Sequence, residues 1–219
     1  MVTVDVDDVV TPDVAGHEGK ESGGVDVAGV TDKDKTVPVI HTLGASYAIG
    51  QGYLQVNCLQ LAVMTARLAN REYKALNPRL VKSVGGKELA RGSDVNDLPF
   101  PPEHIQYVRD GMAAVTEAGG TAFRASQLGL GDILMAGKTG TAQVRRISKH
   151  ERETRVLKNE ERPWKERDHA LFVAFAPVEA PRIAVAVIVE NAPRGGGSGI
   201  ASPIARRIID SYLLSQAQE

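Results

Sequence analysis

The sequence predicts an α+β fold, an antiparallel sheet with helices packed on its faces, from three observations. Two runs rich in Val, Phe, Ala and Ile, residues 170–176 and 183–189, are separated only by a short segment bracketed by Pro177 and Pro181, the pattern of a tight strand hairpin. A third strand-like segment begins at Ala136 and runs through alternating residues to Val144. Helical patterns precede these strands and one follows them. Three adjacent strands with a terminal helix make an antiparallel layer rather than a parallel one.

The elements follow in chain order. Val2 to Asp7 alternates at period two and admits one short strand, after which Gly, Asp and Lys dominate through Thr36. That acidic lead, residues 1–42, offers little to bury and is expected to be disordered or foreign to the fold. Tyr47 to Leu54, with Gly50 and Gly52, reads as a glycine-punctuated turn into a helix whose Leu59, Ala62, Val63, Ala66 and Ala69 share one face. Leu80 to Val84, closed by Gly85-Gly86, reads as a strand and turn. Pro101-Pro102 opens a helix with Ile105, Val108, Met112 and Val115 inward and Gly119-Gly120 as its stop. Arg145 to Asp168 mixes charges of both signs, as a solvated loop or hairpin does. Gly195-Gly196-Gly197-Ser198 reads as a flexible link. Ser202 then caps the last helix, Pro203 takes its first position, and Ile204, Ile208 and Tyr212 form its stripe.

Composition excludes several function classes. With 219 residues, 26 basic against 27 acidic, no global field draws the chain to nucleic acid. Cys58, the single cysteine, rules out an intrachain disulfide and a multi-cysteine zinc site, and its apolar helical setting predicts a buried structural thiol. The five histidines (17, 41, 104, 150 and 169) show no metal-ligand spacing. No apolar run approaches the ~20 residues of a membrane helix.

Chemistry concentrates at Gly137-Lys138-Thr139-Gly140-Thr141. An edge strand there would offer free N–H and C=O groups to an extended peptide. Gly140 lets that backbone approach, Lys138 supplies a cation, and Thr139 and Thr141 supply hydroxyls for a terminal carboxylate. The N–H of Thr141 could form half of an oxyanion hole. A P-loop is rejected because its first glycine would fall at position 132, which is Asp132, and Ile133-Leu134-Met135 would fill the loop with apolar side chains. Gly50-Gln51-Gly52 is no dinucleotide fingerprint, since Gln55 stands where its third glycine belongs.

Lys-Thr-Gly is one of three elements of penicillin-recognising serine enzymes, beside Ser-x-x-Lys and Ser-x-Asn. None of the ten serines has a lysine three residues on or an asparagine two residues on. A serine without an adjacent base is a poor nucleophile near neutral pH.

Four segments in order resemble the C-terminal half of a penicillin-binding protein transpeptidase domain, of the class B, elongation-type (rod-shape) subfamily. They are Ala48 to Leu54 with Leu59-Gln60-Leu61-Ala62, then Gly137 to Ala142, Arg167 to Pro177, and Ala201 to Ala205. The resemblance runs from about Leu43 to about Leu214 and implies a partial β-lactamase-like domain over residues 43–219. It implies a D,D-transpeptidase that cross-links peptidoglycan stem peptides through an acyl-enzyme and is acylated by β-lactams. Lys138, Thr139, Gly140 and Thr141 would bind the stem-peptide or β-lactam carboxylate, with no metal or cofactor. Rod-shape and elongation proteins would be partners of the parent enzyme, at the inner membrane facing the periplasm. The chain as written carries no signal or anchor and is expected in the cytoplasm. Nucleophile, base and second-motif serine would lie upstream of Leu43, so a truncated or frame-disrupted product is expected, unable to acylate alone and exposing the face that meets the missing helices. The alternative is a non-catalytic module that holds a peptide or partner.

Overall fold

A computed structural model describes residues 2–5, 56–79, 81, 83–88, 96–145, 147–193 and 196–217. The chain divides into a unit of Met1–Pro12 with Cys58–Glu219 and a second of Asp13–Asn57. All the secondary structure below belongs to the first, and the turn expected at Tyr47–Leu54 lies outside the described residues.

Among the described residues the sheet has four strands in the order β1–β6–β5–β4, with β1 Val2–Asp5, β4 Ala136–Ala142, β5 His169–Ala176 and β6 Ile183–Val189. Every neighbouring pair is antiparallel. The expected class and hairpin are therefore observed, and β1 is the short strand that the alternation after Met1 admits. A separate two-residue hairpin, β2 Ser83–Val84 and β3 Lys87–Glu88, turns through Gly85 and Gly86 at φ +58° and +78°. Both central residues of such a tight turn need positive φ, which glycine adopts without steric cost.

β5 and β6 are apolar on both faces because both faces are covered. Phe172, Ala174, Val185 and Val187 pack with Ala201 and with Ala205 and Ile209 of helix α5, Ser202–Gln216. Phe175, Ala184 and Ala186 pack instead with Ala62, Ala66 and Ala69 of α1, Cys58–Ala69, and with Met112 of α2, Pro102–Ala114. Alternation at period two sends successive residues to opposite layers, so a doubly covered strand reads as one apolar run. Alanines line both sides of the α1 contact, which lets helix and sheet approach closely. A short helix, α3 Phe123–Ser126, and a second short helix, α4 Lys149–Glu153, complete the described helices.

Several expected faces shift by a residue. Leu59 is 43% exposed, while Ala62, Val63, Ala66 and Ala69 are buried as predicted. In α2 Val108 is 47% exposed and its neighbour Arg109 points inward between Ile105 and Met112. In α5 the buried positions are Ser202, Ala205 and Ile209, with Ile204 38% exposed and Ile208 and Tyr212 only flanking. Ser202 is not the cap: Ala201, itself helical at φ −73°, precedes the helix, and Ser202 is fully buried in its first turn. Cys58 opens α1 half-buried, its thiol donating to the Ala186 carbonyl at 3.3 Å.

Arg109 knits the second layer. It is 5% exposed, donates to the carbonyls of Ala69 and Val178, the latter at 3.2 Å, and lies 5.4 Å above the Phe175 ring. Burial, reinforced by nearby Arg71, lowers its pKa. Its bonds satisfy carbonyls at the end of α1 that have no helical partner of their own. Arg109→Met is expected to lower stability by roughly 2–4 kcal/mol, since each orphaned buried acceptor costs about 1–3 kcal/mol. An unchanged urea midpoint would show that α1 and the β5–β6 turn do not depend on this side chain.

Candidate functional site

Among the described residues β4 is an edge strand: it pairs with β5 from Ala136 opposite Phe175 to Ala142 opposite His169, and it is last in the strand order. Successive residues of a strand direct their N–H and C=O groups to opposite sides, so half of β4's backbone capacity is left facing outward. Two glycines bring this backbone against β5. A Cβ on Gly137 would lie 2.5 Å from Cζ of Phe172 and 2.8 Å from the Val173 carbonyl oxygen, so no other residue fits.

The four residues singled out in the sequence stand together on this edge. Lys138 is exposed, and its ammonium donates to the Thr139 carbonyl at 2.7 Å. Thr139 and Gly140 are half-buried and Thr141 is exposed. Among the described residues neither threonine hydroxyl is engaged in a hydrogen bond, so both are available to a ligand. Alternation places Lys138 on one face of the sheet and Thr139 and Thr141 on the other. The large clefts lie elsewhere. One of about 530 Å³, lined by Leu59, Met64, Leu68 and Phe100, is apolar. No group of three or more His, Cys, Asp or Glu side chains among the described residues could hold a metal ion.

The glycine-rich segment before α5 is not a free link. Gly197–Ala201 form one π-helical turn that lies on the sheet, and a Cβ on Gly197 would meet the Leu171 carbonyl oxygen at 2.4 Å and the Gly140 nitrogen at 2.8 Å. Gly196, at φ +51°, would place its Cβ 3.5 Å from Oγ1 of Thr141. The glycines are there for close backbone approach to the candidate strand. A glycine run leading through Ala201 and Ser202 into a helix was the available signal for it.

The charged segment is likewise built rather than loose. Ser148 and Glu151 form a reciprocal capping box at the start of α4. Arg145 binds both Glu151 oxygens, at 2.6 and 3.0 Å, and this guanidinium, together with the Ser148 N–H, holds the Glu151 carboxyl at about 2 against an ordinary 4.5. Arg162, 8% exposed, donates to both oxygens of Asp168 at 3.1 Å. His169, the first residue of β5, accepts from the Asn191 N–H at 2.9 Å. Sequence reasoning missed Arg109, Arg162 and Gly197. A charge at an inward helical position was the signal for Arg109, and nothing local marked Arg162 among so many charges.

A family model described as the penicillin binding protein transpeptidase domain matches residues 21–210. The peptidoglycan D,D-transpeptidase MrdA of Haemophilus influenzae is 38% identical over 176 residues, covering 77% of this chain and 25% of that protein. MrdA of Acinetobacter baumannii is 34% identical, covering 78% and 24%. Among solved structures, Pseudomonas aeruginosa PBP2 in complex with WCK 5153 superposes with a TM-score of 0.60 at 38% identity, over 78% of this chain and 34% of that one. A complex between PBP2 and MreC from Helicobacter pylori superposes with a TM-score of 0.57 at 26% identity, over 80% and 28%. The chain spans about a quarter of the length of the curated relatives it matches.

Gly197→Ala is expected to lift the π-helical turn from β4 and cost about 1–3 kcal/mol, as overpacking against backbone does; an unaltered urea midpoint would refute the close approach. Glu151 gives a pH dependence. Its folded pKa lies below its unfolded value, so its stabilisation is complete above about pH 4.5 and is lost as pH falls toward about 2. Glu151→Gln should flatten the fall in urea midpoint across that interval, and an identical slope would contradict the assignment.

Proposed function

The chain belongs to the penicillin-binding protein transpeptidase family, and within it we propose that this molecule forms the carboxylate-binding edge of a peptidoglycan D,D-transpeptidase site without the nucleophile. The observation that supports this most directly is β4 itself, an edge strand that presents an exposed lysine and two unengaged threonine hydroxyls.

An extended stem peptide or a β-lactam would lie along the outer edge of β4 and exchange backbone hydrogen bonds with it. At the outer edge Lys138 would reach the ligand carboxylate from one face of the strand, releasing the Thr139 carbonyl, while Thr139 and Thr141 would donate hydroxyl bonds to it from the other. Gly140 would leave room for the ligand backbone, and the Thr141 N–H would polarise the carbonyl under attack. The residues from Leu43 onward form the C-terminal part of the domain in this reading. No serine here has a lysine three residues on, so the acyl-enzyme step needs a nucleophile from outside these residues. For a complete enzyme the family resemblance supports a place at the inner membrane facing the periplasm among rod-shape partners, and PBP2 of Helicobacter pylori forms a complex with MreC. No helix among the described residues is long and apolar enough to cross a membrane.

Titration with a D-alanyl-D-alanine peptide should shift the backbone amide resonances of Lys138 to Thr141. Lys138→Met should weaken that binding about tenfold or more, because a charge-assisted hydrogen bond is worth roughly 1.5–3 kcal/mol. Incubation with a fluorescent penicillin should leave no label after denaturation. A covalent adduct on the isolated chain would overturn the proposal.

A further inference from the structure

We propose that Asp168 is a positioning residue for the candidate binding strand, holding the exit of β4 and the chain ahead of the Gly197 turn at one point. The inference rests on the reading of β4 as the ligand-binding edge, and it adds a residue that touches no ligand.

Asp168 lies at the entry to β5, one residue before His169. Its side chain reaches toward β4: Oδ1 accepts from the N–H of Val144 at 3.4 Å, two residues beyond the end of the strand. Its carbonyl reaches the other way and accepts from the Ala192 N–H at 3.0 Å. Asn159 doubles that second link, since its Oδ1 accepts from the Asp168 N–H at 2.8 Å and its Nδ2 donates to the Ala192 carbonyl at 2.6 Å. Ala192 is buried just ahead of the turn in which Gly196 meets Thr141 and Gly197 meets Gly140. One residue thus joins both supports of the Lys138–Thr141 segment.

The carboxylate could not hold these directions if it were free to rotate. Arg162 prevents this, with both Asp168 oxygens bound to Nη1 at 3.1 Å. Arg162 is in turn fixed by its Nε, which donates to the Leu157 carbonyl at 3.2 Å, and by its carbonyl, which accepts from Nε of Arg167 at 3.1 Å. The side chains of the pair are 8% and 16% exposed, so solvent screens them less than it would a surface pair. A binding strand whose outer edge has no partner gains its rigidity from such supports, and rigidity before binding lowers the ordering cost when ligand arrives.

The test is residue-resolved amide hydrogen exchange on the full chain without ligand. Asp168→Ala is expected to speed exchange about tenfold at those amides of residues 140–142 that bond to β5, while amides of β5 and β6 keep their wild-type rates. Asp168→Asn, which retains an acceptor for Val144, should restore slow exchange. Unchanged rates at 140–142, or an equal acceleration throughout the sheet, would overturn the proposal. Should Asp168→Ala fail to fold with Arg162 left unpaired, the double variant Arg162→Met/Asp168→Ala removes the orphaned charge; local loosening in it supports the proposal and wild-type exchange overturns it. If loosening is seen but D-alanyl-D-alanine binds neither protein, positioning stands and the binding reading falls.

Discussion

The β4–β5 ladder is the interaction on which the rest of the candidate site depends. Among the described residues β4 has one strand neighbour, and every backbone hydrogen bond that orders it within the sheet goes to β5. A strand paired on one side is ordinarily the least rigid part of a sheet and the most open to pairing with another chain. Here the exposure is retained and the mobility is opposed. Gly137 rests on the Phe172 ring, and Gly197 presses on the Gly140 backbone from the α5 side. The strand is held from below and at its end, and left open along its edge.

β5 can serve as a fixed reference because it is central. β6 flanks it, α5 covers one face and α1 with α2 the other, and Phe172 and Phe175 are fully buried on opposite sides. Arg109 ties α1 and α2 to the β5–β6 turn across the second layer. Thr116, just beyond α2, donates to the Met135 carbonyl at the entry to β4. Packing thus reaches the site through β5 and through both ends of β4, and side chains that touch no ligand decide where Lys138 to Thr141 stand.

Much of this was legible in the sequence, for physical reasons that differ by element. The β5–β6 hairpin shows as two apolar runs because both faces of these strands are buried. The candidate site shows because Lys-Thr-Gly-Thr combines a cation, hydroxyls and a glycine in a strand context, a combination with few structural uses. Inward faces of helices were harder to place. Binary patterning chose Val108 where the fold buries Arg109, because a guanidinium with carbonyl partners outweighs a valine at that position. Gly197 was read by its freedom, yet the structure uses its lack of a Cβ. Arg162 and Asp168 could not be paired from sequence, since their partnership depends on how the charged segment folds back on the sheet.

The central claim is that β4 is ordered on one side and open on the other. Native-state hydrogen exchange of the wild-type chain, read amide by amide from Ala136 to Ala142, measures this directly. The account predicts alternation, with slow exchange at amides bonded to β5 and fast exchange at those facing outward. Uniform protection would mean that something covers the edge, and uniform fast exchange would mean that the strand is not formed. Either result would contradict an open, preorganised binding edge.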